Sequence, residues 1–112
     1  EALNCKATME TVAIVQAVVN APEPTAVVYD AAAKVMGAQN IVAKRTMASE
    51  DMGFFLDEIP GCYFFIGASN EEAGITFPHH HPRFTFDERA MIDGVAVMGE
   101  AAASYVMRNG RS

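Results

Sequence analysis

The chain has little of several residue types that mark particular protein classes. Its 112 residues include two cysteines, no tryptophan and eight lysines and arginines, against fourteen acidic residues. The formal net charge of −6 argues against a nucleic-acid-binding protein, which needs a basic surface to displace counterions from phosphates. Cys5 and Cys62 lie in unrelated contexts and form no CxxC pair. We therefore expect two free thiols in a reducing compartment, and no disulfide framework.

Long apolar runs and a charged leader are also missing. No run approaches the ~20 residues of a membrane span, and no basic-then-apolar segment opens the chain. The scattered basic residues form no patch for an anionic membrane. These features predict a soluble cytoplasmic protein without a membrane partner. The hydrophobic content of 51% is sufficient for a packed core in one domain, or in a piece of a larger one.

Apolar spacing predicts three helices. The first covers residues 25–36, with Pro24 in its first turn and Gly37 as its C-terminal stop. The second follows Ser49 and ends before Pro60-Gly61, and the third runs from Asp87 to about Met107. The predicted buried stripe of the third helix consists of Met91, Val95, Met98, Ala102 and Tyr105.

Three apolar segments, residues 5–19, 40–44 and 62–68, have the composition of strands. The predicted order is β-α-β-α-β-loop-α, and this alternation indicates an α/β layered domain. Because the first strand is much longer than the other two, we interpret it as part of a different sheet.

All three histidines, His79, His80 and His81, lie in one loop after the 62–68 segment, and Pro82 follows them. A metal ligand and a solvated loop are both consistent with this pattern. Ligands collect beyond the carboxyl ends of strands in open α/β sheets. Neighbouring side chains of an extended segment point in opposite directions, however, so the three imidazoles cannot share one ion. Zinc needs three or four protein ligands, and the acidic Asp87 is better explained as a helix cap.

Two motifs resemble the C-terminal end of the aminoacylase and carboxypeptidase-type metallopeptidases, and in particular their amidohydrolase branch. The first is SEDMGFFLDEIPGCYFFIGASN, which starts at Ser49, and the second is PHHHPRFTFDERAM, which contains His80. That branch includes hippurate hydrolase and the N-acyl-amino-acid and indoleacetyl-amino-acid hydrolases. The stretch VVNAPEPT, around Asn20, is similar to a domain junction of the family.

The resemblance implies roles for two residues. His80 matches the histidine of the family's His-x-Pro motif, a ligand of one of two metal ions, whereas His79 and His81 match variable positions. The resemblance makes Ser49 a candidate for contact with the carboxylate end of the substrate, although Ser49 is equally well explained as a helix N-cap. Glu50 and Asp51 are interpreted as helix-stabilising charges and scaffold residues, and not as catalytic groups.

The same resemblance implies a C-terminal portion of a three-layer domain of the zinc-exopeptidase type. Residues 1–20 would be the last strand of a lid or dimerisation domain, and residues 21–112 the second half of the catalytic domain. The implied reaction is hydrolysis of N-acyl amino acids or small peptides by a zinc- or manganese-bound water. The general base and the remaining metal ligands match nothing here, so no catalytic residue is assigned. We expect the 112 residues to be inactive alone and to form a homo-oligomer.

Two other hypotheses remain open at this stage. The chain could be a non-catalytic α/β module that self-associates through residues 5–19 and has no metal site. It could also be a binder of small acids that keeps the Ser49 pocket without any metal.

Overall fold

The computed structural model describes residues 2–12, 14–47 and 50–110. Three α-helices run over Pro22–Met36 (α1), Met52–Glu58 (α2) and Ala90–Asn109 (α3), and short 3-10 turns cover Ala2–Asn4 and Ala38–Asn40. All three predicted helices are confirmed. Their bounds differ by a few residues from the prediction, as is usual for helix ends.

Helix α1 begins and ends where its local sequence dictates. Pro22 and Pro24 occupy its first turn, where a missing N–H leaves no helical bond unmade. The Thr25 hydroxyl donates to the Ala21 carbonyl over 2.6 Å. Gly37 ends the helix with a φ of 86°, in the left-handed region, and donates its N–H to the Ala33 carbonyl. The predicted stop at Gly37 is confirmed.

Helices α1 and α3 pack against each other and form the core. Val27 and Ala31 of α1 meet Ala101 of α3, and Val97 of α3 is fully buried. These small side chains let the two helices approach closely. Ion pairs flank the contact, from Lys34 to Glu100 over 2.7 Å and from Arg108 to Asp30 over 3.1 Å.

The predicted buried stripe of α3 is wrong for the described chain. Met91, Val95, Met98 and Tyr105 are between 51% and 75% exposed. The face that packs on α1 instead carries Ala101, and Val97, one turn earlier on the same face, is fully buried. Periodicity located an apolar face correctly, but α3 is apolar on two faces and only one of them has a partner among the described residues.

The predicted strands lie in extended chain without ladder partners. Within the described residues the single β-bridge joins Asn70 to Ile75. The backbone around residue 61 is nevertheless tied to the start of α1, since the Ala21 N–H donates to the Gly61 carbonyl over 2.9 Å. A β-sheet is held by hydrogen-bonded ladders between neighbouring strands. Because the described residues contain no such ladder, the α/β layered fold stays a prediction.

Two extended segments lie against helices at glycine positions. Gly53 of α2 is buried, and a Cβ at this position would lie 2.7 Å from the Gln16 carbonyl oxygen. The segment around Gln16 therefore crosses the start of α2 at a distance that only glycine allows. A Cβ on Gly94 of α3 would lie in ordinary contact with Ile66, at 3.5 Å.

The chain is flat and open. Its radius of gyration is 19.4 Å, whereas a compact domain of this length has about 13 Å. It exposes 9719 Å², against roughly 6,000 Å² for a folded monomer of this mass. Met9, Val12 and Ile14 of the first segment are 70% or more exposed. Much of the apolar surface thus has no cover within the described residues.

Helix α3 has the length and apolar composition of a membrane-spanning helix. It nevertheless packs on α1 through Ala101, and its Glu100 forms an ion pair with Lys34. We therefore treat α3 as a domain helix with one uncovered apolar face.

Replacing Ala101 with leucine should destabilise the α1–α3 contact. Ala101 is 7% exposed, and overpacking a tight contact of this kind costs about 1–3 kcal/mol. The matched control is Ala103→Leu, two residues further along the same helix on an exposed position, where a change within about 0.5 kcal/mol is expected. Urea unfolding measures both variants. Equal shifts of the two midpoints would contradict the packing described here.

Candidate functional site

The histidine loop is closed at its base by Asp87. The Asp87 N–H donates to the Ala68 carbonyl over 2.9 Å, and the Asn70 side-chain amide donates to Asp87 Oδ2 over 2.7 Å. Asn70 and Ile75 exchange backbone hydrogen bonds of 2.8 Å in both directions. Asp87 thus joins the end of the 62–68 segment to the approach of α3, and the histidines lie between these two points.

The Asp87 carboxylate accepts hydrogen bonds from Arg89 and from the side-chain amide of Asn70. The Arg89 Nε lies 3.0 Å from both carboxylate oxygens of Asp87, and Nη2 lies 2.6 Å from Oδ2. These bonds, with those from the Asn70 amide and the Arg89 backbone, hold the pKa of Asp87 far below its ordinary value. The same pairing raises the pKa of Arg89. Asp87 therefore serves the loop as a permanent anion and not as a proton carrier.

The interpretation of Asp87 as the cap of the last helix needs a correction. Helix α3 begins at Ala90, and the N-cap position is Arg89, which makes no side-chain capping bond. Asp87 instead accepts the Arg89 backbone N–H over 3.1 Å, in the turn that precedes the helix. The acidic side chain stabilises this approach because its oxygens satisfy N–H groups that would otherwise lack partners.

Aromatic contacts hold two of the three histidines. The His81 ring stacks on Phe77 with centroids 4.3 Å apart, and the Arg83 guanidinium lies 4.4 Å from the Phe77 centroid. His81 Nδ1 also accepts the Arg83 backbone N–H over 3.1 Å. The His79 ring meets Phe84 edge-on at 5.0 Å. These contacts give His79 and His81 packing roles in the loop.

His80 differs from its two neighbours. It is exposed, and its φ of 67° lies in the left-handed region, which is uncommon for a residue with a side chain. It is the third residue of a turn closed by the His81 N–H on the Pro78 carbonyl at 3.2 Å, a position where positive φ is found in type II turns. Its ring contacts the His79 ring edge-on at 6.4 Å, and within the described residues its nitrogens make no hydrogen bond.

The described residues do not by themselves make up a complete metal site. Among residues 2–12, 14–47 and 50–110, no group of three or more His, Cys, Asp or Glu side chains is close enough to hold an ion. Asp87 is bound by Arg89 and Asn70, as described above. His80 could supply one coordination position, and a metal centre would need further ligands from elsewhere.

A shallow depression lies beside the loop, at the end of the extended segment. Its lining includes Gly67, Ser69, Asp87, Arg89 and Asp93. The depression is therefore polar, and its floor is shaped by the Asp87–Arg89 pair. The sequence predicted that a site would lie just past this segment, although it did not identify the residues that form it.

The second candidate residue, Ser49, lies outside the described residues. Its neighbour Glu50 accepts a hydrogen bond of 3.0 Å from the Tyr63 hydroxyl. This bond, together with burial and the Glu50 charge, raises the pKa of Tyr63 above its ordinary 10.0. The interpretation of Glu50 as a scaffold residue agrees with this contact. Helix α2 follows at Met52, with Asp51 in the N-cap position and no side-chain capping bond.

Sequence reasoning missed the polar contacts of three residues, namely Asn20 and Tyr63, which bond each other, and Asn70, which bonds Asp87. Asn20 precedes a proline-rich helix start and Asn70 begins a turn, so both are asparagines at chain breaks, where side-chain amides often replace backbone partners. That signal was present in the sequence. Tyr63 gave none, because an aromatic residue in an apolar segment is indistinguishable from a core residue.

Comparison with known proteins identifies the family. The profile of peptidase family M20/M25/M40 matches residues 5–104. The chain is 34% identical over 90 residues to a putative amidohydrolase, YhaA, of Bacillus subtilis. This match covers 80% of the chain and 23% of the relative. The chain is 37% identical over 65 residues to IAA-amino acid hydrolase ILR1-like 6 of Arabidopsis thaliana, covering 58% of the chain and 14% of the relative.

A third relative matches along nearly the whole chain. N-acetyldiaminopimelate deacetylase of Geobacillus is 29% identical over 111 residues, which are 99% of this chain and 27% of that protein. The chain therefore spans about a quarter or less of the length of these three relatives. No solved structure matches it significantly. The match over residues 5–104 shows that this chain belongs to peptidase family M20/M25/M40, a family of hydrolases.

Proposed function

We propose that the chain is the C-terminal portion of a metal-dependent amidohydrolase that hydrolyses N-acyl amino acids or small peptides. The observation that carries the proposal is the family match over residues 5–104, together with relatives named as an amidohydrolase, an IAA-amino acid hydrolase and a deacetylase. These names share one chemistry, the hydrolysis of an amide bond, and two of the three name an amino acid or an acetylated amino acid.

In this proposal His80 supplies one ligand to a divalent metal ion, zinc or manganese. Its exposure, its unused ring nitrogens and its fixed place in a turn support this role, because a metal ligand must be both accessible and held in orientation. The metal would supply Lewis acidity and lower the pKa of a bound water. The chain's own residues orient the His80 loop, and Ser49 contacts the carboxylate end of the substrate.

The proposed fold is the α/β three-layer domain expected from the resemblance. Residues 1–20 would be the last strand of a lid or dimerisation domain, and residues 21–112 the C-terminal half of the catalytic domain. The unpaired extended segments support this proposal, since strands need partners. So does the surface of 9719 Å², which exceeds that of a compact monomer. We place the protein in the cytoplasm as a homo-oligomer, with no nucleic-acid or membrane partner.

A second function is favoured by a different observation. The exposed apolar residues of the first segment, among them Met9, Val12 and Ile14, suit a surface that self-associates. A non-catalytic module that dimerises through residues 5–19 would cover them without any metal. Metal content separates this alternative from the hydrolase.

Replacing His80 with alanine should weaken metal binding in the protein expressed from its complete reading frame. Partners outside the coordination shell already change affinity 10- to 100-fold, so loss of a ligand should lower zinc or manganese affinity at least about 100-fold. Hydrolysis of an N-acyl amino acid should fall with it. Metal titration and elemental analysis of the purified protein measure the change.

His79→Ala is the matched control for this experiment. His79 is the neighbouring imidazole, and its ring packs on Phe84, so the variant should keep metal and activity close to wild type. Equal effects of the two variants would count against His80 as the ligand. A metal-free wild-type dimer that His80→Ala leaves intact would support the self-associating module instead.

The 112-residue chain expressed alone should show no hydrolysis with added zinc or manganese. Its described residues contain no group of three or more metal-ligating side chains. A single imidazole does not hold the metal ion that would lower the pKa of a bound water to near neutrality. A turnover assay with an N-acyl amino acid tests this expectation. Metal-dependent turnover that disappears in His80→Ala would show that the chain contains a complete site.

Removing the charge of Asp87 should loosen the histidine loop in a pH-dependent way. The pKa of Asp87 is lowered in the folded state, so its stabilisation is present above the ordinary value of 3.8 and is lost as pH falls through the lower folded value. The difference in unfolding free energy between wild type and Asp87→Asn should therefore be greatest at neutral pH and shrink in acid. Urea unfolding over a pH series measures it.

The Arg89→Gln variant tests the cause of this effect. It removes the guanidinium that pairs with Asp87, so the carboxyl should titrate closer to 3.8, as followed by the Asp87 carboxyl carbon in NMR. An unchanged titration midpoint would show that Arg89 does not set the charge state of Asp87.

A further inference from the structure

His81 holds the histidine loop together through both its backbone and its ring. Its N–H donates to the Pro78 carbonyl over 3.2 Å, and its own carbonyl accepts the Phe84 N–H over 2.9 Å. The ring Nδ1 accepts the Arg83 N–H over 3.1 Å, and the ring stacks on Phe77 with centroids 4.3 Å apart. His81 is therefore the last residue of one turn and the first residue of the next.

The second turn runs from His81 through Pro82 and Arg83 to Phe84. The first position of such a turn favours Asp, Asn or Ser, because their short polar side chains bond the backbone two residues further on. His81 makes the same bond through Nδ1. Pro82 occupies the second position, which proline favours because of its fixed φ. The imidazole of His81 thus takes the part that an asparagine side chain usually takes in a turn.

The bond to Arg83 also determines which nitrogen of His81 carries the proton. A neutral imidazole has one N–H and one nitrogen with a free lone pair. Because Nδ1 accepts a hydrogen bond from the Arg83 N–H, the proton of the neutral ring is on Nε2. Neither nitrogen of His81 is then free to bind a metal ion. His80 differs, because its ring nitrogens make no hydrogen bond within the described residues.

The conformation of His80 depends on the residue that follows it. Its φ of 67° is left-handed, which is unfavourable for a residue with a side chain. Such conformations persist only where the surrounding contacts hold them. The bond that closes the turn over His80 comes from the His81 N–H, and His81 is itself held by Arg83 and Phe77. The turn that sets the direction of the His80 side chain therefore depends on His81.

We propose that His81 is a positioning residue for the metal ligand His80, and that its Nδ1, more than its stacked ring, performs this role. The inference rests on the proposed function, in which His80 binds zinc or manganese. Loss of Nδ1 would leave the Arg83 N–H without its partner and allow the two turns to relax. His80 would then have to be ordered when the ion binds, and this loss of conformational entropy lowers metal affinity.

Two substitutions separate the nitrogen of His81 from its ring, in the protein expressed from its complete reading frame. His81→Asn keeps a side-chain acceptor for the Arg83 N–H and removes the ring. His81→Phe keeps a ring to stack on Phe77 and removes the acceptor. Zinc titration of the metal-free protein should show affinity about 10- to 100-fold lower in His81→Phe, the range found for groups that orient a ligand. His81→Asn should keep an affinity close to wild type.

The pattern across the two variants distinguishes the possible roles of His81. If His81 acted only by packing on Phe77, His81→Asn would lose zinc affinity and His81→Phe would keep it. If His81 were itself a ligand, both variants would lose zinc affinity. Either pattern, or wild-type affinity in both variants, would overturn the inference.

His79 provides the matched controls. Its ring packs edge-on against Phe84, so His79→Phe and His79→Asn make the same side-chain changes two residues earlier. Both should keep zinc affinity close to wild type. Urea unfolding of each variant separates positioning from folding, because His81→Phe should unfold at a midpoint close to that of His81→Asn. A loss of zinc affinity that only accompanied a lower midpoint in His81→Phe would overturn the inference.

Nuclear magnetic resonance checks the His81 contact without metal or activity. Proton–nitrogen spectra of the imidazole rings in metal-free protein show which nitrogen carries the proton, and the signals missing in His81→Asn identify His81. The ring should have its proton on Nε2 and a hydrogen-bonded Nδ1. A proton on Nδ1 would overturn the inference, since that nitrogen could not then accept the Arg83 N–H.

The failures of the two proposals can be told apart. Wild-type zinc binding with unchanged affinity in His81→Phe would overturn the role of His81 and leave the proposed function standing. Wild-type protein that binds neither zinc nor manganese would overturn the proposed function, and the positioning role of His81 with it.

Discussion

The arrangement of the candidate site depends on one ionised carboxylate. Asp87 joins the end of the 62–68 segment, through Ala68, to the turn that leads into α3. Its oxygens are shared by the Arg89 guanidinium and the Asn70 amide. Without the backbone and carboxylate bonds of Asp87 the histidines would lie on a loop of about twenty residues with free ends, and a loop of that kind samples many conformations. With them, the two ends of the histidine loop meet beside a polar depression lined by Asp87 and Arg89.

Helices were predictable because the information that specifies them is local. Gly37 ends α1 through its own backbone freedom, and Pro22 and Pro24 occupy a first turn that tolerates them. Which face of a helix becomes buried is not local. The stripe containing Met91 and Met98 has the spacing of an amphipathic helix, but these side chains are exposed. The buried face of α3 is the one that carries Val97 and Ala101. The difference depends on a partner helix far along the chain, which periodicity does not reveal.

The strands show the same limit more strongly. Residues 62–68 have strand composition, but they form no ladder with any of the described residues. Of the candidate site, the sequence located the loop and favoured His80 through a motif. It could not show that His80 would take a left-handed conformation, or that His79 and His81 would be held by Phe84 and Phe77. Those outcomes follow from three-dimensional contacts within the turn, and residue types alone do not specify such contacts.

The contact between α1 and α3 has a consequence for how the protein assembles. The two helices are separated by roughly fifty residues, and closing so long a loop has a substantial entropic cost before any contact forms. The contact of Val27 and Ala31 with Ala101 therefore spans a long separation in sequence, and contacts of this kind are typical of proteins that fold slowly. During synthesis α1 emerges well before its partner helix does. Its apolar face remains open in that interval, and exposed apolar surface of this kind favours aggregation until α3 covers it.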